Sequence, residues 1–148
     1  MAQSRPCNEK VASLIRKGNG LLNAGQFENA IATYDQAIQI DSEDADLWNH
    51  HGLALAGLNR FEEALRSFEK ACMLDPRHHD AWYNKGLMLC ALERFDRAIS
   101  SFEKALQINP GNAHAWHNKG VALARLGWDA EAKFAFSCAG WIALHGGG

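Results

Sequence analysis

Seven histidines and four cysteines are the side chains here with the widest chemical range. His114 and His117 stand three residues apart, a spacing that sets two imidazoles on one side of a helix. Helped by Asp80, they make the one arrangement with a metal-ligand look, but no third strong ligand is fixed by spacing, so no metal is expected. His50-His51 and His78-His79 are adjacent pairs, and helix neighbours point to different faces. Cys7, Cys72, Cys90 and Cys138 contain no C-x-x-C pair and read as small apolar side chains in a reducing compartment. There is no nucleophile elbow, phosphate-cradling loop or H-E-x-x-H. The chain is therefore expected to be no enzyme and to need no cofactor, and the histidines are left to tune binding near neutral pH.

Behind these residues lies a strict period. Gly18, Gly52, Gly86 and Gly120 are 34 residues apart. One column reads Leu14, Trp48, Trp82, Trp116, and another Leu21, Leu55, Leu89, Leu123. Then come Ala30, Ala64, Ala98, Ala132; Tyr34, Phe68, Phe102, Phe136; and Ala37, Ala71, Ala105, Ala139. Such self-similarity means stacked copies of one unit. Apolar spacing predicts two helices per copy, about 45–58 and 61–74 in the second, with a turn at Gly57-Leu58-Asn59-Arg60. Asp75-Pro76 and Asn109-Pro110 stop the second helices, since proline cannot continue a helix. Glycine costs roughly 1 kcal/mol against alanine inside a helix, so four at one register imply close helix approach. The Trp, Leu and Phe columns are then expected to be core.

This 34-residue order of Trp, Gly, Ala, aromatic, Ala and Pro resembles the tetratricopeptide repeat family. Four copies, 11–44, 45–78, 79–112 and 113–146, follow a polar segment 1–10 that leads into the first helix, and residues 147–148 form a flexible tail. One departure is that Lys17, His51, Lys85 or Lys119 replaces the usual leucine before the glycine; long lysine stems can still cover apolar surface. The resemblance implies an all-α, right-handed α-solenoid of helix–turn–helix repeats. It also implies a concave groove lined by the first helix of each copy, acting as a protein–protein interaction scaffold or adaptor.

Helical spacing independently puts Asp46, Asn49, His50, Leu53 and Ala56 on one side of their helix. Across copies this wall has a polar zone of Asn49, Asn84, Asn118, His50 and His117 and an aliphatic zone of Leu22, Leu53, Leu87 and Val121. Amides offer both donor and acceptor to an extended peptide backbone, and the aliphatic row suits an apolar edge or a partner helix. Tyr83 joins His50 and His117 as a specificity residue. Relatives that grip a C-terminal carboxylate use a clamp of Lys, Asn and Arg; of these only Asn19 is matched, the other places holding Ile15, His50, Asp80 and Asn84. The expected ligand is neutral or basic, not an acidic chaperone tail.

The outer column of the second helices is mostly polar: Glu28, Ala32, Gln36, Gln39; Glu62, Arg66, Lys70, Met73; Asp96, Ser100, Lys104, Gln107. In the last copy it becomes Ala130, Phe134, Cys138, Trp141. An apolar stripe of this kind marks an interface. The alternative reading is thus a self-assembling scaffold, a homo-oligomer joined through Phe134, Cys138 and Trp141.

Composition narrows the partners further. With 15 Lys+Arg against 17 Asp+Glu, the net charge is −2 and no basic run marks a nucleic-acid footprint. The 47% hydrophobic and 22% charged content over 148 residues is that of an ordinary globular domain. No apolar stretch approaches membrane-spanning length, and residues 1–10 lack a signal peptide's apolar core. A cytoplasmic protein without membrane insertion is expected.

Overall fold

A computed structural model describes residues 4–146, and among them every regular element is an α-helix. The eight helices are α1 (Ser4–Asn23), α2 (Phe27–Ile40), α3 (Ala45–Gly57), α4 (Phe61–Leu74), α5 (His79–Ala91), α6 (Phe95–Ile108), α7 (Ala113–Arg125) and α8 (Asp129–His145). They pair as four hairpins, α1 with α2, α3 with α4, α5 with α6 and α7 with α8. The chain divides into two compact units, one ending at Pro76 and the other beginning at Arg77. In the first, α3 also packs on α2 and α1; in the second, α7 also packs on α6 and α5.

Each hairpin is closed at the glycine column. A Cβ on Gly18, Gly52, Gly86 or Gly120 would lie 2.5–2.7 Å from the nearest ring carbon of Tyr34, Phe68, Phe102 or Phe136 respectively. The bare backbone of one helix is thus the seat for the aromatic ring of the next. Tyr34, Phe68 and Phe102 are wholly buried there, together with the alanine columns.

The turns repeat as closely as the helices. Gly25, Asn59, Glu93 and Gly127 all have positive φ. The amide one residue later donates back to the carbonyl of Leu21, Leu55, Leu89 or Leu123 at 2.8–3.0 Å. That left-handed residue and six-to-one bond satisfy carbonyls that the helix end would leave orphaned. At the opposite ends, Asp44, His78 and Asn112 accept from the amides of Leu47, Ala81 and Ala115, capping α3, α5 and α7.

Three expectations need correction. The segment 1–10 is not a lead-in, because α1 already begins at Ser4. The tryptophan column is half-buried, not core. Trp48 and Trp116 stand edge-out, their indole N–H groups donating to the loop carbonyls of Ser42 and Pro110 at 2.9 and 3.0 Å. The Lys85 and Lys119 ammonium groups lie 5.1 Å from the Trp82 and Trp116 rings, so lysine stems cover what leucine would have buried. Finally, Phe136 departs from its column by being exposed, since no further helix covers that side of α8 among the described residues. The tail 147–148 lies outside the described residues.

Candidate functional site

The free side of the first helices carries most of the expected binding residues, and each unit presents its own face. In the first unit, α1 contributes Asn19 and α3 contributes Asn49, His50 and Leu53. The Asn19 amide oxygen accepts from the Tyr34 hydroxyl at 2.6 Å, a bond that fixes the base of the face. Burial pushes the Tyr34 phenol up to about 12, so it remains a donor throughout the physiological range. His50 Nδ1 donates to the Asp46 carbonyl at 2.7 Å, and its ring lies 6.3 Å from that of Tyr34. Asn49 departs from expectation. At 4% exposure it is enclosed by the helices around it and offers a ligand no open amide. Helical spacing reads which side of α3 a residue occupies but not how deeply the neighbouring helices cover it. Leu53 stays half-buried at the surface, as does Leu22 on α1.

The second unit brings its residues into a connected wall. Asn118 on α7 donates from Nδ2 to the Tyr83 hydroxyl on α5 at 3.0 Å. Tyr83 stacks on His79, ring planes 2° apart and centroids 6.5 Å apart, and leans on the buried Phe102 ring at 5.9 Å. Burial raises the Tyr83 phenol, with Asn118 acting in the opposite sense. His79 continues the chain: its Nε2 accepts from the Asn112 amide at 3.0 Å while Nδ1 donates to Asp80 at 3.0 Å. Asn112 also caps α7, so one side chain joins the starts of two first helices. Asn84 and Leu87 are half-buried beside this wall, whereas His117 and Val121 are exposed. The His117 ring tilts over Phe136 at 5.3 Å.

Among the described residues, no group of three or more His, Cys, Asp or Glu side chains could hold a metal. His114 is exposed on α7, and Asp80 instead engages His79. A different histidine is the chemically busiest. His51 Nδ1 meets the Ser67 hydroxyl at 2.8 Å and Nε2 meets Asp35 at 2.9 Å, tying α3 to α4 and α2. Ser67 is buried, and the Ser–His–Asp row acts as a strut between helices at the floor of the cleft beside Trp48. Burial lowers the His51 pKa, outweighing the attraction of Asp35. The strut joins three columns 16 residues apart, and Lys119 with Glu103 repeats its ion pair at 3.5 Å in the second unit; what is particular to the first unit is the histidine, which reaches the hydroxyl and the carboxylate together.

The outer side of the hairpins differs between copies. Beside Trp48 the cleft is walled by His51, Glu63, Arg66 and Lys70, and beside Trp82 by Lys85, Arg97 and Lys104. Beside Trp116 it holds about 450 Å³, lined by Leu123, Trp128, Phe134 and Ala135. A second hollow of about 430 Å³ lies between Trp116, Cys138, Trp141 and Ile142. Phe134 stands between them, edge-on to Trp116 at 6.3 Å. Phe134 and Trp141 are 66% and 64% exposed, and Cys138 is half-buried between them. His145 is the last residue of α8 and stacks on Trp141 at 4.8 Å.

Comparison with known proteins places this geometry. Family models described as tetratricopeptide repeat match residues 51–113 and 101–134, and one described as TPR repeat matches 18–59. No curated protein matches the sequence. Among solved structures, a crystal structure of MamA is 25% identical with a TM-score of 0.89, over 96% of this chain and 82% of that one. The second TPR domain of human RPAP3, solved by NMR in complex with an HSP70 peptide, is 27% identical with a TM-score of 0.76, over 78% of this chain and 97% of that one. The first TPR of Spaghetti (RPAP3), bound to an HSP90 peptide, is similar in fold at 24% identity and a TM-score of 0.79, over 80% of this chain and 94% of that one.

Proposed function

Because the chain belongs to the tetratricopeptide repeat family, matched in three overlapping stretches from residue 18 to residue 134, we propose that it is a non-enzymatic, cytoplasmic interaction module that holds a peptide or partner helix against the free faces of its first helices. The observation that carries this reading is the second unit's wall. Tyr83 and Asn118 are already hydrogen-bonded to each other, so a ligand meets side chains whose rotamers need not be frozen on binding. Val121, Leu87 and His117 flank them with apolar and polar contact. Leu53 and His50 play the same part in the first unit, with Asn19 acting from below through Tyr34. No helix among the described residues is long and apolar enough to cross a membrane.

The ligand in this reading is neutral or basic. Asp46 and Asp80 are exposed at the starts of α3 and α5, and the clamp places hold Ile15, His50, Asp80 and Asn84. The RPAP3 domain's peptide ends in two glutamates, a valine and an aspartate. A carboxylate-rich tail of that kind would meet like charge here. The test is fluorescence anisotropy with three labelled peptides: that acidic tail, its amidated glutamine counterpart and a lysine-substituted one. The neutral and basic peptides are expected to bind more tightly, and Asn118→Ala with Val121→Asp to weaken them about tenfold or more, by analogy with central contact residues elsewhere. Tightest binding of the acidic tail, abolished by Asn19→Ala, would overturn the assignment.

A second reading has one observation of its own. The outer face of α8 carries Phe134, Cys138 and Trp141 where α4 carries Arg66, Lys70 and Met73 and α6 carries Ser100, Lys104 and Gln107. That favours a scaffold that assembles through its last helix.

A further inference from the structure

We propose that α8 pairs antiparallel with α8 of a second copy of this chain, about a two-fold axis passing beside Cys138. The inference rests on the self-assembly reading above and supplies its partner and register.

The residues of the open α8 face are arranged symmetrically about Cys138. Glu131 and His145 lie seven residues to either side, two helical turns away and on the same face. Phe134 and Ile142 lie four to either side, and Trp141 lies three residues beyond Cys138. In an antiparallel pair centred there, the exposed Phe134 ring of each copy meets the half-buried Ile142 of the other, one such contact at each end of the pairing, and the exposed Trp141 rings are withdrawn from water.

Charge points to the same partner. The first turn of α8 carries Asp129 and Glu131, and its last turn carries His145. Antiparallel pairing sets Glu131 of each copy against His145 of the other and opposes the two helix dipoles; a parallel pair would stack carboxylate on carboxylate. The face thus complements itself in one orientation. An isologous contact of this kind closes at two copies and leaves no open end.

The register makes a geometric demand. With axes about 8–10 Å apart and Cα atoms about 2.3 Å from each axis, the two Cys138 Cα atoms come within about 5 Å, inside disulfide reach. Cys7 is exposed and Cys90 is half-buried like Cys138, so the probe is the chain with Cys7→Ser and Cys90→Ser, treated with diamide. The added oxidant takes two electrons and two protons from the paired thiols. Expected are a covalent species of twice the chain mass, its loss in Cys138→Ser, and a concentration-dependent dimer in sedimentation without oxidant. Glu131→Lys alone should weaken the dimer about 3–10-fold, and adding His145→Glu should restore it. These charge variants lie at exposed positions, so they report even if Phe134→Glu with Trp141→Glu fails to fold.

A dimer that neither cross-links at Cys138 nor responds to the charge swap would overturn the register while leaving self-assembly through α8 standing. A chain that stays monomeric at every concentration would overturn both. So would an α8 face covered by a further segment or by a different protein.

Discussion

At the residue scale, the glycine column shows how one missing carbon sets a helix distance. A methyl group on Gly52 would sit 2.6–2.8 Å from the Phe68 ring, which is wholly buried and cannot swing away. Alanine gains roughly 1 kcal/mol of helix propensity, whereas overpacking a filled core costs about 1–3 kcal/mol. Gly52→Ala should therefore lose net stability, about 1 kcal/mol, in urea unfolding. Gly20→Ala, with open space around its Cβ, should gain up to about 1 kcal/mol. Equal effects at the two sites would remove the steric account. His51 gives a second test. Its folded pKa lies below the ordinary value of about 6.5, so the unfolded chain takes up a proton first as pH falls. Its contribution is whole above about pH 6.5 and is lost as pH drops towards the lowered folded value. Urea midpoints measured between about pH 5 and 8 should fall on the acid side. His51→Gln should flatten that slope, and an unchanged slope would assign it to the other histidines.

At the element scale, the hairpin turn is the same device used four times with unequal residues. Glycine or asparagine holds the positive-φ position in three turns, but Glu93 holds it in the α5–α6 turn at φ 58°. A side chain in that region costs about 1–2 kcal/mol relative to glycine. Glu93 recovers little of this, since its 3.2 Å pair with Arg125 is exposed on both sides and such pairs give about 0–1 kcal/mol. Arg125 keeps a second partner in the Phe95 ring, 4.7 Å away. Glycine's greater unfolded-state entropy offsets part of the relief. Glu93→Gly should accordingly raise the melting temperature by a degree or two, equivalent to about 0.5 kcal/mol. A lowered value would mean that the Glu93–Arg125 pair outweighs backbone strain.

At the scale of the whole molecule, the period made the helices, their order and the glycine–aromatic seats legible, because every copy repeats them. What it hid is which columns meet. The His51–Asp35 and Lys119–Glu103 pairs both span 16 residues and the His79–Asn112 link spans 33, and a comparison made column by column shows which residue types recur, not which side chains touch. Asn49 reads as open to a ligand from helical spacing but is buried, since burial depends on the neighbouring helices and spacing reads only one. The tryptophans misled for a related reason: their size suggested core, while the indole N–H needed a loop carbonyl and so drew the ring to the rim. Within each unit, contacts between helices run mainly to the next one along the chain, with weaker ones from α1 to α3 and from α5 to α7. Stability in such a chain is close to a sum of local terms and neighbour terms. Gly86→Ala, which drives a methyl group against Phe102, should therefore act locally. By hydrogen exchange, protection should drop most in α5 and α6, less in α7 and α8, and least in α1 and α2. Uniform loss across all eight helices would show instead that the chain opens as one cooperative body.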